Sequence, residues 1–186
     1  MLSVLHFLLN IIFTLFGIAL IIRAWIFAIR LHPFNPYSQA ILRITDWLVQ
    51  PIRKVIKPGN LLDWSSICAC LLAALVYQAA FWGLLIVQLP GMDMLPALLI
   101  AAVLTVLKWT FNVILWITLI QAILSWVNPL APVMPVLHTL TAPLLDPIRR
   151  MLPNLGGIDF SPLVLLVLAQ VAMMIIQHLT FTLVGM

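Results

Sequence analysis

The chain has 186 residues, of which 65% are hydrophobic and only 8% are charged, and its formal net charge is +4. A soluble domain averages about 45–50% apolar and about 25% charged residues, and most of the surface of a small domain must face water. The composition therefore excludes an ordinary soluble globular protein, a disordered chain and a disulfide scaffold, and it indicates an integral membrane protein.

The two cysteines, Cys68 and Cys70, would point to different sides of a helix, so we interpret them as packing residues.

Four apolar segments are long enough to cross a membrane, which takes about 20 mostly apolar residues. We place these spans at Val4–Ile29, Ser65–Leu89, within Ala97–Val127 and at Leu163–Val184. The thirteen prolines are all expected outside the spans, because proline interrupts a helix interior but suits its first turn. Arg23 is the first basic residue and follows the apolar run 1–22, so this run lacks the basic start of a secretory signal and is interpreted as a retained span.

The basic residues are distributed unevenly between the loops. Loop one (30–64) holds five of them and loop three (128–160) holds two, whereas loop two (90–96) holds none. They are Arg30, Arg43, Arg53, Lys54, Lys57, Arg149 and Arg150. Since short cytoplasmic loops are enriched in Lys and Arg, this asymmetry predicts that loops one and three face the cytoplasm, or its organellar equivalent, and that both termini lie on the outer side. It also accounts for the net charge without a nucleic-acid partner.

The chain contains a tandem repeat, which becomes visible when the sequence is shifted by 96 residues. Aligned in this way are Thr45 with Thr141, Pro51-Ile52-Arg53-Lys54 with Pro147-Ile148-Arg149-Arg150, and Asp63-Trp64-Ser65 with Asp159-Phe160-Ser161; Asn35-Pro36 matches Asn128-Pro129 after a small gap. Each unit has two spans, so the second unit enters the membrane in the same orientation as the first. We predict two parallel repeats, 1–92 and 93–186, related by a pseudo-twofold axis along the membrane normal.

The cytoplasmic loops are predicted to contain amphipathic helices. Polar residues of loop one recur with the spacing of one helix face, at Gln39, Arg43, Asp46, Gln50, Arg53 and Lys57. This pattern indicates a helix in the membrane interface, with a kink or a division into two short helices at Pro51. In loop three we expect a shorter helical part, with Asp146 as the cap and Pro147 as the first residue of a short helix. Gly156-Gly157 is expected to form a tight turn into the fourth span.

Three groups of charged residues allow two interpretations each. The basic pairs Arg53-Lys54 and Arg149-Arg150 are topology signals and interfacial anchors, or they bind lipid phosphates or an acidic partner. Asp63 and Asp159 cap their helices or pair with a basic residue of their own loop, or they form a proton or ion site. Lys108 lies in the third predicted span. Its side chain either reaches the membrane interface, or it is a functional charge within the membrane.

Polar residues within the third and fourth spans bear on transport. They are Asn112, Gln121, Gln170 and Gln177, together with Lys108. A channel or transporter would gather these groups around one wet path, whereas a scaffold would scatter them or pair them between helices. The four histidines show no metal-ligand spacing, and the sequence has no nucleophile motif, phosphate loop or paired-carboxylate constellation. We therefore expect neither an enzyme nor a cofactor.

The second repeat carries a specific set of motifs. They are Asn128-Pro129, then the run from Ala142 to Pro153 with Asp146-Pro147-Ile148-Arg149-Arg150, then Gly156-Gly157-Ile158-Asp159-Phe160-Ser161-Pro162. This set resembles the YggT family of small bacterial inner-membrane proteins, which has YlmG-type relatives in cyanobacteria and chloroplasts. The first repeat departs from the pattern at 57–60, which replaces the glycine-rich turn, and at Ser66, which stands in the place of a proline. The resemblance implies roles in osmotic or envelope homeostasis and, in organellar relatives, in membrane-complex assembly or division-related organisation, and it implies no catalytic residues.

Together, these features predict an all-α membrane protein with four transmembrane helices, arranged as two parallel tandem hairpin repeats with interfacial amphipathic helices in the cytoplasmic loops. The expected function is that of a non-enzymatic accessory protein, with a small channel or transporter subunit as the alternative. The expected partners are the lipid bilayer, including anionic lipid, and an unidentified membrane protein or a second copy of the chain.

Overall fold

Six helices form the described part of the protein. The computed structural model describes residues 2–31, 35–60, 62–86, 95–152 and 159–184. The helices are α1 (Leu2–Ala28), α2 (Pro36–Val55), α3 (Trp64–Ile86), α4 (Leu95–Val127), α5 (Met134–Met151) and α6 (Ser161–Val184), and no strand occurs among the described residues. α1, α3, α4 and α6 are long and apolar enough to cross a membrane. Even α3, at about 1.5 Å per residue, exceeds the roughly 30 Å of a bilayer core, so the all-helical class and the four spans are confirmed.

The contacts divide the chain into two compact units, Met1–Thr110 with Ile176–Met186, and Phe111–Ile175. In the first unit α1, α2 and α3 pack against one another. α1 also approaches the first half of α4 closely, because a Cβ atom built on Gly17 would overlap the indole ring of Trp109. In the second unit α5 packs on the second half of α4, through Ala131, Met134 and Leu137. The predicted repeat boundary between residues 92 and 93 concerns sequence units and stays a prediction.

The central proline of loop one does not divide its helix. Pro51 lies inside the continuous helix α2, so of the two predicted alternatives the division into two short helices is wrong, and the kink stays a prediction. Proline removes one backbone donor, which here would have served the carbonyl of Trp47. Pro51 is exposed and lies opposite the buried residue Val49, so the missing hydrogen bond falls on the outer side of the helix while packing holds the inner side together.

Loop three also forms one continuous helix, and the predicted cap at Asp146 is wrong. α5 begins at Met134, contains Pro143 and Pro147, and is two residues shorter than α2. The two prolines are four residues apart and exposed, so they share the outer face, while residues such as Leu145 keep the other face buried. Tertiary packing therefore overrides the local preference for a break.

Three smaller expectations have different outcomes. Pro96 was expected outside the third span but lies in the first turn of α4, where proline is tolerated. Arg23, which follows the apolar run 1–22 but falls within the predicted span Val4–Ile29, lies inside α1 as expected, five residues before its end. The predicted turn at Gly156-Gly157 lies outside the described residues.

Candidate functional site

A buried arginine joins the first two helices. Arg23 of α1 is only 2% exposed, and its Nη1 atom donates to Asp46 Oδ1 at 2.7 Å and to Thr45 Oγ1 at 2.8 Å, both in α2. Thr45 in turn donates to the carbonyl of Ile41 at 2.7 Å. Removing a guanidinium from water costs several kcal/mol unless it is paired, so these bonds both require and stabilise the packing of α2 on α1.

A buried acid, Asp63, lies near the end of loop one. Asp63, which directly precedes α3, is 1% exposed and accepts hydrogen bonds from Arg53 Nη2 at 2.8 Å, from Ser66 Oγ at 2.7 Å and from Ser65 Oγ. Burial by itself would raise the pKa of Asp63, but the two serine hydroxyls and the Arg53 charge outweigh it and hold that pKa below its ordinary value. The expected pairing of Asp63 with its own loop is therefore present, and it ties the end of α2 to the start of α3.

A cavity of about 420 Å³ lies between these two ion pairs. We name it the arginine pocket and define it by its lining residues: Arg23, Ile26, Phe27, Arg30, Leu31, Ser38, Leu42, Arg53, Asn60 and Asp63. Arg23, Ile26 and Phe27 share one face of α1, and Arg30 and Leu31 line the pocket from the turn that follows this helix. The pocket combines a cationic part with an apolar wall.

Two buried polar atoms of the arginine pocket have no hydrogen-bond partner in the described part of the chain. They are Arg23 Nε and Ser38 Oγ, and the Ser38 residue is 1% exposed. A buried polar group without a partner costs about 1–3 kcal/mol, and such groups are rare in folded proteins. Two residues that line the pocket thus each have a donor that no described residue pairs.

Arg30 ends α1 in a backbone conformation that favours glycine. Its φ angle is 53°, its amide donates to the Phe27 carbonyl at 3.1 Å, and the amide of Leu31 donates to the Ile26 carbonyl at 3.1 Å. This pair of bonds is the Schellman motif, in which glycine normally occupies the left-handed position. An arginine there costs about 1 kcal/mol relative to glycine, so this position is strained.

The second unit repeats part of this arrangement with different charges. Thr141 of α5 donates to the carbonyl of Leu137 at 2.9 Å and to the side chain of Gln121 in α4, and Gln121 Nε2 lies 3.0 Å from His138 Nδ1. Thr141 aligns with Thr45 in sequence, so a neutral glutamine bonds the second threonine where a charged arginine bonds the first. Gln121, predicted as an intramembrane polar residue, is thus buried and engaged within its own unit.

Asp159 pairs with its own loop, as expected. It accepts from Arg149 Nη2 and Nε, both at 2.9 Å, and from the Ser161 amide at 3.0 Å and hydroxyl. Burial would raise the pKa of Asp159, but Ser161 and Arg149 outweigh it and hold that pKa below its ordinary value. Asp146, which was expected to be a cap, instead accepts from Arg149 Nη1 at 3.3 Å.

The remaining predicted residues occupy varied positions. Asn35 caps α2 by accepting the Tyr37 amide at 3.0 Å, and Pro36 is the first residue of that helix. Asn128 and Pro129 lie in the exposed turn after α4. Lys54, Lys108, Arg150, Gln170 and Gln177 are exposed, and Asn112 is half-buried. Neither Lys54 nor Arg150 forms an ion pair with another described residue.

Sequence reasoning missed Arg23, Ser38, Thr45 and the serines that hold Asp63. The available signal was an arginine within an otherwise apolar helix, since such a charge inside a span needs a partner. Among the described residues, no cluster of three or more His, Cys, Asp or Glu side chains is arranged to hold a metal.

Helix α2 has three different sides. Ser38, Thr45 and Val49 are buried in the protein. A second side exposes apolar residues, among which Trp47 is 69% and Val55 is 83% exposed, together with Tyr37 and Ile44. A third side exposes Arg43, Gln50 and Lys54. The ring of Trp47 lies 5.3 Å from that of Phe16 in α1, so the apolar side of α2 reaches toward the first span.

The four apolar helices, together with α2 and α5 between them, define a multi-pass helical membrane protein. The family model described as CCB3/YggT matches residues 2–85 and 100–180, and the chain therefore belongs to the CCB3/YggT family. The resemblance seen in the sequence motifs is confirmed.

Relatives of similar length occur in several bacteria. A protein of Escherichia coli strain K12, described as "Uncharacterized protein YggT", is 35% identical over 170 residues, which are 91% of this chain and 87% of the relative. A Vibrio alginolyticus protein, described as "Uncharacterized protein in proC 3'region", is 34% identical over 168 residues, or 89% of each chain. A Haemophilus influenzae protein is 34% identical over 156 residues, which cover 83% of this chain and 81% of the relative. No solved structure matches this chain.

Proposed function

We propose that this protein is a non-enzymatic accessory protein of the bacterial inner membrane, which acts through α2 and α5 at the cytoplasmic surface in envelope or osmotic homeostasis or in the assembly of a membrane complex. Its two tandem repeats present these helices on the same side of the membrane. Two separate matches to one family model, and the parallel bonding of Thr45 and Thr141, support the repeat. The basic residues of loops one and three support the cytoplasmic orientation.

The single observation that carries this proposal is the division of α2 into buried, apolar and cationic sides. α2 exposes Ile44 and Trp47 on one side and Arg43 and Lys54 on another. Such a helix is stable only where its three sides can contact protein, lipid and water. The cationic side also suits the negative surface of the cytoplasmic leaflet, at about 1 kcal/mol per basic residue near the surface.

Spin labels on two sides of α2 test this placement. In the full chain with Cys68 and Cys70 replaced by alanine, a label is attached at Ile44→Cys or at Gln50→Cys, and the protein is reconstituted in bilayers. The label at position 44 is expected to be relaxed by oxygen, which dissolves in lipid, and the label at position 50 by a water-soluble relaxation agent. Equal access of the aqueous agent to both labels would overturn the proposal.

Genetic complementation tests the role of the basic residues. Because loop one alone holds five basic residues, the double variant Arg149→Ala with Arg150→Ala is expected to keep its topology but to weaken growth of a deletion strain under osmotic challenge. The single variant Arg150→Ala keeps the ion pair between Arg149 and Asp159, so it separates anchoring from folding. Full complementation by both variants would show that these arginines only set topology.

A small channel or transporter subunit is less well supported. Gln121 is bonded to Thr141 and His138, and Gln170 and Gln177 are exposed on the surface of α6. Polar groups arranged in this way pair locally or scatter, as expected for a scaffold.

A further inference from the structure

The arginine pocket has the polar groups of a phosphate site. Arg23 Nε and Ser38 Oγ are buried donors without a partner among the described residues, and Arg30 adds a guanidinium at the end of α1. Guanidinium and hydroxyl groups are common ligands of phosphate oxygens, and hydrogen bonds to an anion are about twice as strong as neutral ones. An anion with several acceptor oxygens would satisfy both buried donors at once.

The charges of the pocket fit an anion with a single negative charge. Asp46 pairs with Arg23 and Asp63 pairs with Arg53, so two of the three arginines in the lining are balanced. Arg30 forms no ion pair with a described residue and leaves one positive charge. A phosphodiester carries one negative charge and would complete the balance.

The apolar wall of the pocket distinguishes between the sources of phosphate. Ile26, Phe27, Leu31 and Leu42 line the cavity beside the arginines. These residues lie where α1 ends and α2 runs along it, which is the membrane interface of the proposed function. An inorganic phosphate would leave this wall uncovered, whereas a phospholipid presents a phosphodiester that is joined to apolar chains.

We infer that the arginine pocket binds the phosphodiester of an anionic phospholipid, with Arg30, Arg23 Nε and Ser38 Oγ as donors and with the apolar wall against the lipid chains. This inference rests on the proposed function, because it assumes that the pocket opens at the membrane interface. It adds a defined lipid site to a general attraction between α2 and the membrane surface. The strained left-handed conformation of Arg30 then has a purpose, because it places the guanidinium beside the phosphate.

Binding of defined lipids to the full chain in neutral detergent tests the inference. The ligands are phosphatidylglycerol, phosphatidylcholine and inorganic phosphate, and binding is followed by native mass spectrometry and by the shift in thermal midpoint. Phosphatidylglycerol is expected to bind tightest. Arg30→Gly is expected to weaken its binding about tenfold or more, and Ser38→Ala about two- to tenfold, as for one charge-assisted and one ordinary hydrogen bond.

A matched control separates the pocket from general electrostatics. Lys57→Ala removes the same charge as Arg30→Gly, but Lys57 is exposed after the end of α2 and does not line the pocket. This control is expected to bind phosphatidylglycerol within about twofold of the parent chain. Without lipid, Arg30→Gly is expected to unfold at or above the temperature of the parent, because glycine suits the left-handed position, so weaker binding cannot be ascribed to misfolding.

Three outcomes would overturn the inference. One is unchanged phosphatidylglycerol binding in Arg30→Gly and Ser38→Ala, and a second is an equal loss in Lys57→Ala. The third is binding of inorganic phosphate with the same dependence on Ser38, which would assign a soluble phosphate in place of the lipid. If the spin labels place α2 in the interface and any of these outcomes is found, the inference fails while the proposed function stands. If the labels fail and pocket-dependent lipid binding remains, only the placement of α2 is wrong.

Discussion

Asp63 and Asp159 stand 96 positions apart and are held by the same two partners at the same sequence distances. Each accepts from an arginine ten residues earlier and from a serine hydroxyl two residues later. The two acids differ in burial, since the Asp63 side chain is 1% exposed and the Asp159 side chain is 46% exposed. The same sequence motif therefore forms an ion pair with a buried acid, between Arg53 and Asp63, in the first unit and a solvent-exposed ion pair in the second.

This difference in burial predicts that replacing the acid by asparagine destabilises the protein more at Asp63 than at Asp159. Asp63→Asn is expected to destabilise the protein by about 2–3 kcal/mol, because it leaves buried hydroxyls and the Arg53 guanidinium without their charged acceptor. Asp159→Asn is the matched control and is expected to cost less than about 1 kcal/mol. Thermal unfolding of both variants in detergent measures the loss of stability. An equal loss in both variants would contradict the conclusion that, of these two acids, only Asp63 is buried.

The same acids predict a loss of stability in acid. Both have a folded-state pKa below the ordinary value near 4, so their contribution is fully present above about pH 4 and is lost as the pH falls through the folded-state pKa. The thermal midpoint of the parent chain is expected to fall below about pH 4. The midpoint of Asp63→Asn is expected to fall less steeply there, and a parallel fall in both proteins would show that Asp63 is not the group that titrates.

Charge exchange tests the pairing in the second unit. Asp159→Arg places two arginines together, and adding Arg149→Asp is expected to restore part of the lost stability, by about 0.5–1 kcal/mol in a double-mutant cycle. Arg150→Asp is the control and is not expected to rescue, because Arg149 makes the contact. Rescue by Arg150→Asp instead, or only by a reversal in the first repeat, would show that the local pair is not the one that matters.

Two features of this fold could be predicted from sequence because they depend on local or repeated patterns. The four spans follow from runs of apolar residues that a bilayer requires. The pairing of Arg53 with Asp63 follows from a short connection that brings the two charges together, and its recurrence at Arg149 and Asp159 marks it as a unit.

Other features depend on how distant segments pack and were not visible in the sequence. The contact of Arg23 with Thr45 and Asp46 requires that α2 turn back onto α1, and no local pattern specifies which face of α2 meets that helix. The continuity of α5 through Pro147 depends likewise on a buried face on its other side. Ser38 is an ordinary polar residue in the sequence, and its interest comes only from its burial beside a cavity.

Close packing of α1 against α4 predicts a sensitive glycine. Gly17→Ala is expected to destabilise the protein by about 1–3 kcal/mol, because the new methyl group overlaps the ring of Trp109 and forces the helices apart. Gly83→Ala is the matched control, since a Cβ atom at Gly83 has no neighbour within 4 Å and alanine is the better helix former. Thermal midpoints in detergent compare the two, and an equal effect would contradict the close approach of α1 and Trp109.

Topology mapping tests the central claim most directly, because the proposed roles of α2, α5 and the arginine pocket all require that they lie on the cytoplasmic side of a four-span protein. Reporters that are active on only one side of the membrane are fused after Asn60, Met92, Gly156 and Met186. The fusions at Asn60 and Gly156 are expected to report the cytoplasm, and those at Met92 and Met186 the periplasm. A cytoplasmic signal at Met186, or a periplasmic signal at Asn60, would contradict the account.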